Sequence, residues 1–450
     1  MRPLTVSSIG ALAAAALASL ALVPTAATAD TSPRTALAAS AAAAETPGAT
    51  QSLPLLPLPG TRADQSPAAA SSVGLPPREV HPFSMIGIVW RDPSVELHGT
   101  VQVRTRARGG DRWSDWQTLA THGDHAPDLG SQEAAGPARG GTAPLWVGDC
   151  DGVQVRVTAA PTSNKARPSL PSGLRVELVD PGADDESPDP AADEDRTTVA
   201  TAADEAGAQA AAVNAGLTTS DGLEVKALSK RASELEATQF NPALAPAKRP
   251  FVGPRPGIVT RRGWGADERL REKKLHYTRT VRAAFVHHSA TGNGYRCAQS
   301  ASVLRGIYRY HVQSLGWADL GYNFAIDKCG RIFEGRAGGV AKPVLGAHTF
   351  GFNQNSMGIV VLGTFDTSAP SAAAVRSVSR LTAWKLGLYG GNPGSSVTMV
   401  SAGGKYAPGK RVRLRVISGH RDGFTTACPG ARLYGKLPTA RTGSAQLQGR

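Results

Sequence analysis

The chain is organised around one stretch, Val286-His287-His288-Ser289-Ala290-Thr291. The apolar run at residues 283–286 predicts a buried strand, and this strand ends in two imidazoles. Far downstream the sequence supplies partners for them, with His420 after the strand-like run 412–417 and Cys428 eight residues further on. Two histidines and one cysteine are a ligand set for a catalytic zinc ion with one open position. The sequence therefore predicts a zinc site.

The N-terminus has the pattern of an export signal. An Ala- and Leu-rich apolar run covers residues 9–23, and Ala27-Thr28-Ala29 matches a small-residue cleavage site. A membrane anchor is the alternative, but the run is short for a bilayer span. We therefore expect residues 1–29 to be a signal peptide, the mature protein to be secreted, and no stable membrane span to follow.

Four cysteines are present, and export permits disulfides. If Cys428 is a thiolate ligand, Cys297 and Cys329 are the natural pair for a disulfide. Cys150 is then left unpaired.

The charge of the chain is divided unevenly. The whole chain carries a net +13, but residues 251–450 contain 29 Lys and Arg against 8 Asp and Glu. A basic module in an exported protein favours a polyanionic partner. Anionic cell-wall polymers are the favoured class, and nucleic acid is not expected. A charged but merely solvated surface is the alternative interpretation.

Composition divides the N-terminal half into three segments. Residues 30–78 are rich in Ala, Pro and Ser and predict a flexible segment. Residues 79–180 contain short runs that alternate apolar and polar side chains between Gly, Pro and Asp clusters, which predicts a small all-β, sandwich-like domain. Residues 181–250 are first acidic and then Ala-rich, and they predict a linker.

Residues 251–441 predict an α/β domain, followed by a loose tail at residues 442–450. Strand-like runs at 283–286 and 357–362 alternate with helical periodicity at 301–315 and 372–389. A turn at Asp327-Lys328-Cys329-Gly330 joins two further strand-like runs into a hairpin. We therefore expect a mixed central sheet flanked by helices.

This domain resembles the peptidoglycan-recognition protein family and the related zinc-dependent N-acetylmuramoyl-L-alanine amidases of type 2. The resemblance rests on motifs spread over residues 264–430. These motifs are Trp264-Gly265-Ala266, Val286-His287-His288-Ser289-Ala290-Thr291, Gly316-Trp317-Ala318-Asp319-Leu320-Gly321-Tyr322-Asn323-Phe324, Glu334-Gly335-Arg336, Gly346-Ala347-His348-Thr349, Gly419-His420-Arg421 and Thr426-Ala427-Cys428-Pro429-Gly430. The linkers and the β domain resemble the longer, secreted actinobacterial members.

The resemblance implies that His287, His420 and Cys428 bind zinc. It also implies two catalytic residues. Tyr322 is expected beside the metal, where its hydroxyl can hold the attacking water or the developing oxyanion. Thr426 occupies a position that is Lys in the phage enzymes, so a neutral hydroxyl replaces a charge there.

Four further residues match family positions that are structural or bind substrate, namely His288, His311, Arg336 and His348. For His311, a buried core histidine is the alternative. No Glu follows His287 in the spacing of H-E-x-x-H, so no carboxylate base is evident. Ala337-Gly338 stands where many animal members have Gly-Trp, so a preference for the third stem residue does not follow from the resemblance.

The resemblance implies a monomeric, cell-wall-associated enzyme that hydrolyses the amide bond between N-acetylmuramic acid and L-alanine in peptidoglycan. A non-catalytic peptidoglycan-binding protein on the same fold is the first alternative. Such binders typically lack the cysteine ligand, so Cys428 favours the enzyme. A second alternative makes the β domain a glycan-binding module, in which Trp113 and Trp116 stack on sugars instead of packing internally.

Overall fold

The structure is a computed structural model, and it describes residues 48–58, 72–121, 127–128, 136, 138–161, 169–182, 205–241, 244 and 250–450. The predicted signal peptide lies outside the described residues. All described residues belong to one compact unit that begins at Glu45. None of the helices in these ranges is both long enough and apolar enough to cross a bilayer.

The N-terminal part of the described chain is a sheet of eight strands. They are β1 Thr50–Pro54, β2 Leu56–Pro57, β3 Ser72–Trp90, β4 Gly99–Ala107, β5 Gln117–Leu119, β6 Gly140–Gly141, β7 Leu145–Ala159 and β8 Arg175–Val179. Hydrogen bonding gives the order β1-β8-β3-β7-β4-β5, with β2 and β6 also paired to β3. The long β3 contains three register shifts against β7, and such irregularities bend a strand. One strand therefore pairs with four others.

The alternating sequence of these strands produces the core of this domain. In β4, Val101 and Val103 are fully buried, and they face Val155 and Val157 of β7 in the same apolar cluster. The intervening polar residues point away from that cluster. The predicted all-β domain is therefore present.

The structure corrects the prediction that residues 30–78 are flexible. Strands β1 and β2 and the start of β3 lie in this segment. The prolines are compatible with β1 because it is the outermost strand of the sheet, where one missing N–H is tolerated. Leu55, between β1 and β2, is buried in the core.

The C-terminal part of the chain is built on a seven-stranded mixed sheet. Its strands are β9 Glu224–Val225, β10 Ile258–Val259, β11 Ala283–His288, β12 Phe324–Ile326, β13 Ile332–Glu334, β14 Ser356–Val361 and β17 Ile417–Gly419, in the order β17-β11-β14-β12-β13-β10-β9. Strand β14 is central, as predicted, and it pairs in parallel with β11 and β12. A separate hairpin contains β15 Ser396–Val400 and β16 Arg411–Arg415.

Seven helices are described. They are α1 Glu205–Ala212, α2 Lys230–Phe240, α3 Ser300–Arg309, α4 Ala372–Gly387, α5 His420–Gly423, α6 Ala431–Tyr434 and α7 Leu437–Gln448. The predicted helix at 301–315 is α3 continued by a π-helical turn, Tyr310–Ser314. The helix α4 begins after the N-cap Ser371, whose hydroxyl accepts from Ala374 N.

Residues 205–241 are not the linker that composition predicted. Strand β9 pairs with β10 at the edge of the sheet, and α2 buries Ala237 in the main core. Asn214 donates to the buried carboxylate of Glu334 at 2.8 Å. This segment has few large apolar residues, but they are sufficient for folding because the C-terminal domain contributes the partner of each contact.

The predicted loose tail at residues 442–450 is also wrong. Residues up to Gln448 continue α7, which packs along α4. Thr382 of α4 donates to Ser444 at 3.1 Å, and the Gln448 amide donates to Ala383 O at 2.9 Å. The segment lacks an apolar stripe, so its docking rests on these polar contacts.

The predicted cysteine pairing is present. Cys297 and Cys329 form a disulfide that joins the start of the α3 region to the turn between β12 and β13. Cys150 and Cys428 are buried and lie outside this disulfide.

Candidate metal centre

Three separate elements bring His287, His420 and Cys428 together. Strand β11 ends in His287 and His288, and β17 beside it leads directly into His420 at the start of α5. Because β11 and β17 are parallel, their carboxyl ends lie at the same edge of the sheet, which is where α/β proteins place their sites. Cys428 approaches from the loop after α5, where Arg421 N donates to Cys428 O at 3.0 Å.

The donor atoms of these three side chains fit a zinc ion. They all lie within 4.8 Å of one another, and His287 Nδ1 is 3.8 Å from Cys428 Sγ. Tetrahedral zinc separates a bound nitrogen and a bound sulfur by about 3.6 Å. The residues are 0%, 0% and 3% exposed, so all three donor groups lie inside the protein. One thiolate and two imidazoles leave a fourth position open.

The second imidazole nitrogen of His287, Nε2, faces the loop that follows β13. With Nδ1 directed at Cys428, His287 Nε2 lies 3.4 Å from Thr349 Oγ1. Thr349 Oγ1 in turn lies 3.0 Å from His348 Nδ1, and the His287 and His348 rings are 5.4 Å apart. A partner on the second nitrogen orients a ligating histidine and selects its tautomer. Thr349 and His348 are therefore in the position to orient His287.

Two hydrogen bonds hold the Cys428 segment. The backbone N–H of His288 donates to Cys428 Sγ at 3.4 Å, which favours the thiolate over the thiol. The backbone N–H of Cys428 donates to Thr426 Oγ1 at 3.0 Å. The half-buried Thr426 thus lies next to the cysteine, and its hydroxyl oxygen holds the turn.

His288 points to the opposite side of β11 from His287. Its Nδ1 accepts from Phe365 N at 3.3 Å, and it is 7% exposed. Burial lowers the pKa of His288 to about 4, with the Arg421 charge acting in the same direction. His288 is therefore neutral at neutral pH. The prediction that it contacts substrate stays untested.

Tyr322 and His311 lie beside the ligand cluster. The Tyr322 ring is 5.4 Å from the His287 ring and 5.7 Å from the His311 ring, and Tyr322 is 2% exposed. His311 Nδ1 accepts from Gly321 N at 3.1 Å, so a neutral His311 carries its proton on Nε2. The two side chains are close enough to act on a group bound at the cluster.

The other two predicted substrate contacts have structural partners. Arg336 is buried, and its guanidinium donates to Leu320 O at 2.9 Å and Leu345 O at 3.1 Å. His348 is fully buried behind His287. Their predicted contact with substrate stays a prediction.

Sequence reasoning missed Thr349, Asn353 and Asp128. Thr349 is part of the quoted motif at 346–349, so its position was available, but its contact with His287 was not. Asn353 and Asp128 carry no local signal, since one lies in a polar loop and the other in the N-terminal half of the chain.

Comparisons with known proteins find a matching family for each of the two domains. Residues 277–431 match the family described as N-acetylmuramoyl-L-alanine amidase, and residues 38–189 match the family described as Rv3811 N-terminal galactose-binding domain-like. Peptidoglycan-recognition protein SC2 of Drosophila simulans is 30% identical over 40% of this chain and 85% of its own length. The N-acetylmuramoyl-L-alanine amidase of Homo sapiens is 30% identical over 41% of this chain and 28% of its own length.

Among solved structures, wild-type PGRP-LB of Drosophila is 25% identical, with a TM-score of 0.33, over 40% of this chain and 92% of that protein. The N-terminal domain is galactose-binding-like, and the C-terminal domain has the mixed sheet and flanking helices predicted from the sequence. The coverage of the Drosophila simulans relative, together with the amidase match, assigns the family: this chain belongs to the peptidoglycan-recognition proteins and type 2 amidases.

Proposed function

We propose that the chain is a secreted, cell-wall-associated, zinc-dependent N-acetylmuramoyl-L-alanine amidase, with residues 1–29 as signal peptide. Its substrate is then peptidoglycan, cleaved between the lactyl group of N-acetylmuramic acid and L-alanine. The observation that carries the proposal is the buried cluster of His287, His420 and Cys428, whose donors lie within 4.8 Å. Two imidazoles and a thiol leave one coordination position open, which is the pattern of a catalytic zinc site, whereas structural sites have four protein ligands.

The residues of the site have separate roles in the proposed hydrolysis. A zinc ion held by the cluster would polarise the scissile carbonyl and activate a water molecule. The Tyr322 hydroxyl donates to the oxygen that gains negative charge during attack, since its ring lies 5.4 Å from that of His287. The protonated Nε2 of His311 offers a second donor on the same side.

A defined muropeptide tests the proposal. The purified protein, loaded with one equivalent of zinc, should release a peptide with a new L-alanine amine and a sugar with a free lactyl carboxylate. Mass spectrometry of both products identifies the bond, and elemental analysis gives the metal. Tight muropeptide binding without either product would instead establish the non-catalytic alternative.

The hairpin of β15 and β16 supports a second contact, with an anionic wall polymer. Residues 367–450 contain 13 Lys and Arg and a single acidic residue, Asp422. On the solvent face of the hairpin, Arg411, Arg413 and Arg415 are exposed and lie opposite Val400, Thr398 and Ser396. Three like charges at a spacing of about 6.8 Å repel one another, and no carboxylate in either strand offsets that repulsion. A polyphosphate-type backbone would relieve it.

We expect the triple variant Arg411→Gln, Arg413→Gln, Arg415→Gln to bind sodium polyphosphate about 10-fold more weakly at low salt, at about 0.5 kcal/mol per charge. The difference should shrink as salt screens the charges. The control is the triple variant of the exposed Arg376, Arg380 and Lys436, which has the same net charge. Equal losses in the two variants would mean that net charge, and not this hairpin, determines binding.

A further inference from the structure

The N-terminal domain reaches the metal centre through Asp128. This residue is 7% exposed, and its Oδ1 accepts from Gly351 N at 2.7 Å and from Asn353 Nδ2 at 2.8 Å. Burial raises the pKa of Asp128. Both donors are N–H groups, which can only donate, so the carboxyl oxygen accepts from them in either protonation state. The contact joins two domains at a loop that lies directly behind His287.

The contact decides which way the Asn353 amide faces. Because Asp128 requires the NH₂ group of Asn353, the amide oxygen must point in the other direction. There Asn353 Oδ1 accepts from His348 N at 2.8 Å and from Thr349 N at 2.9 Å. A reversed amide would set its NH₂ against these two N–H groups. Asp128 therefore stabilises the one orientation that holds the backbone of residues 348–349.

Gly351 closes the same loop. Its φ of +91° is in the left-handed region, and an added Cβ would lie 2.2 Å from Gly403 O. The backbone can approach the 401–404 segment this closely only with glycine here, and this places the Gly351 N–H in line with Asp128. The loop is thus fixed from both sides, and Thr349 Oγ1 is presented to His287 Nε2 at 3.4 Å.

We propose that Asp128 is a positioning residue for the metal centre: through Asn353 and Thr349, the N-terminal domain holds His287 in the orientation that binds metal. This inference rests on the proposed function, because it presumes that His287 is a ligand. It gives the N-terminal domain a role in the metal centre of the C-terminal one. Four residues, Asp128, Asn353, Thr349 and His287, form a continuous series of contacts. The distances between the contacting atoms are 2.8–3.4 Å.

The alternative role for Asp128 is to stabilise the interface between the two domains and nothing more. The chain contains a matched control for this alternative. Ser314 donates to Glu177 Oε2 at 3.1 Å, also across the domain interface and also buried. Ser314→Ala removes one interdomain hydrogen bond whose acceptor, Glu177, belongs to β8 and not to the loop that holds Thr349 and Asn353. A fastening role would make Asp128→Ala and Ser314→Ala equivalent in their effect on the metal.

The test measures the zinc dissociation constant of the full chain by competition with a chelator. Outer partners of metal ligands typically contribute 10- to 100-fold, so Asp128→Ala should weaken zinc binding about 10-fold. Asp128→Asn keeps an acceptor oxygen and should stay within about threefold of wild type, while Ser314→Ala should be unchanged. Hydrogen exchange of the 348–353 amides should accelerate in Asp128→Ala alone.

Asn353→Asp is a second variant that keeps the test decisive if Asp128→Ala does not fold. It sets two carboxyls against each other at the same contact and should weaken zinc binding about 10-fold. Unchanged zinc affinity in a folded Asp128→Ala or in Asn353→Asp overturns the inference. A wild-type chain that binds no zinc removes the proposed function, and this inference with it.

Discussion

Replacing Cys428 with serine is expected to reduce the zinc content from one ion per chain to none and to abolish turnover. The thiolate is the one anionic donor of the cluster, and a neutral hydroxyl is a poor substitute for it. Its backbone N–H partner, His288 N at 3.4 Å, also favours sulfur as an anion. Metal analysis after dialysis and muropeptide turnover measure both effects.

Cys150→Ser is the matched control, since Cys150 is also buried and outside the disulfide but lies in the N-terminal domain. Burial raises the pKa of the Cys150 thiol, which therefore stays neutral and is no competitor for zinc. We expect this variant to keep its zinc and its activity. A Cys428→Ser protein with full metal and full activity would disprove the ligand assignment.

Tyr322→Phe is expected to lower kcat by about 100-fold, a loss of about 3 kcal/mol in transition-state stabilisation, with KM and zinc content little changed. The carbonyl oxygen gains its negative charge only as the attack proceeds, so a hydroxyl donor aimed at it acts mainly on the transition state. The substitution keeps the ring and its packing at 5.4 Å from His287. Steady-state kinetics on a defined muropeptide separate kcat from KM.

Tyr295→Phe serves as the control for loss of a buried tyrosine hydroxyl. Tyr295 OH accepts from Lys328 N at 2.8 Å, so its removal costs stability without touching the cluster. A thermal shift in Tyr295→Phe with unchanged kcat, beside a lowered kcat in Tyr322→Phe, fits the proposed role. An unchanged kcat in Tyr322→Phe would mean that Tyr322 only packs the hairpin.

The local sequence pattern was sufficient to predict an element where a residue's neighbours in sequence determine its environment. Strands β4 and β11 followed from alternation and from an apolar run, and the parallel arrangement of β11 and β17 placed His287 and His420 together. Pattern failed where partners are distant. The prolines around β1 suggest a flexible segment, but β1 pairs with β8. The last turns of α7 place Ser444 and Gln448, and not apolar side chains, at the buried positions.

The site divides in the same way. Its three proposed ligands follow strand ends or lie in a short motif, so the sequence predicts them. The contact of His287 with Thr349 and that of Asn353 with Asp128, more than 200 residues away, carry no such signal. A polar loop that contains one buried carboxyl looks the same in the sequence as a polar loop that contains none.

Because β9 pairs with β10, a fragment of the C-terminal domain needs β9 to complete its sheet. Strand β9 covers the outermost N–H and C=O groups of the seven-stranded sheet. A fragment that begins at residue 251 would expose that edge, which is a template for intermolecular pairing and aggregation. It would also leave Glu334 buried without Asn214, and Lys230 would no longer join Val252 O to Gln448 O. A fragment of this domain that keeps these contacts must therefore start before Asn214.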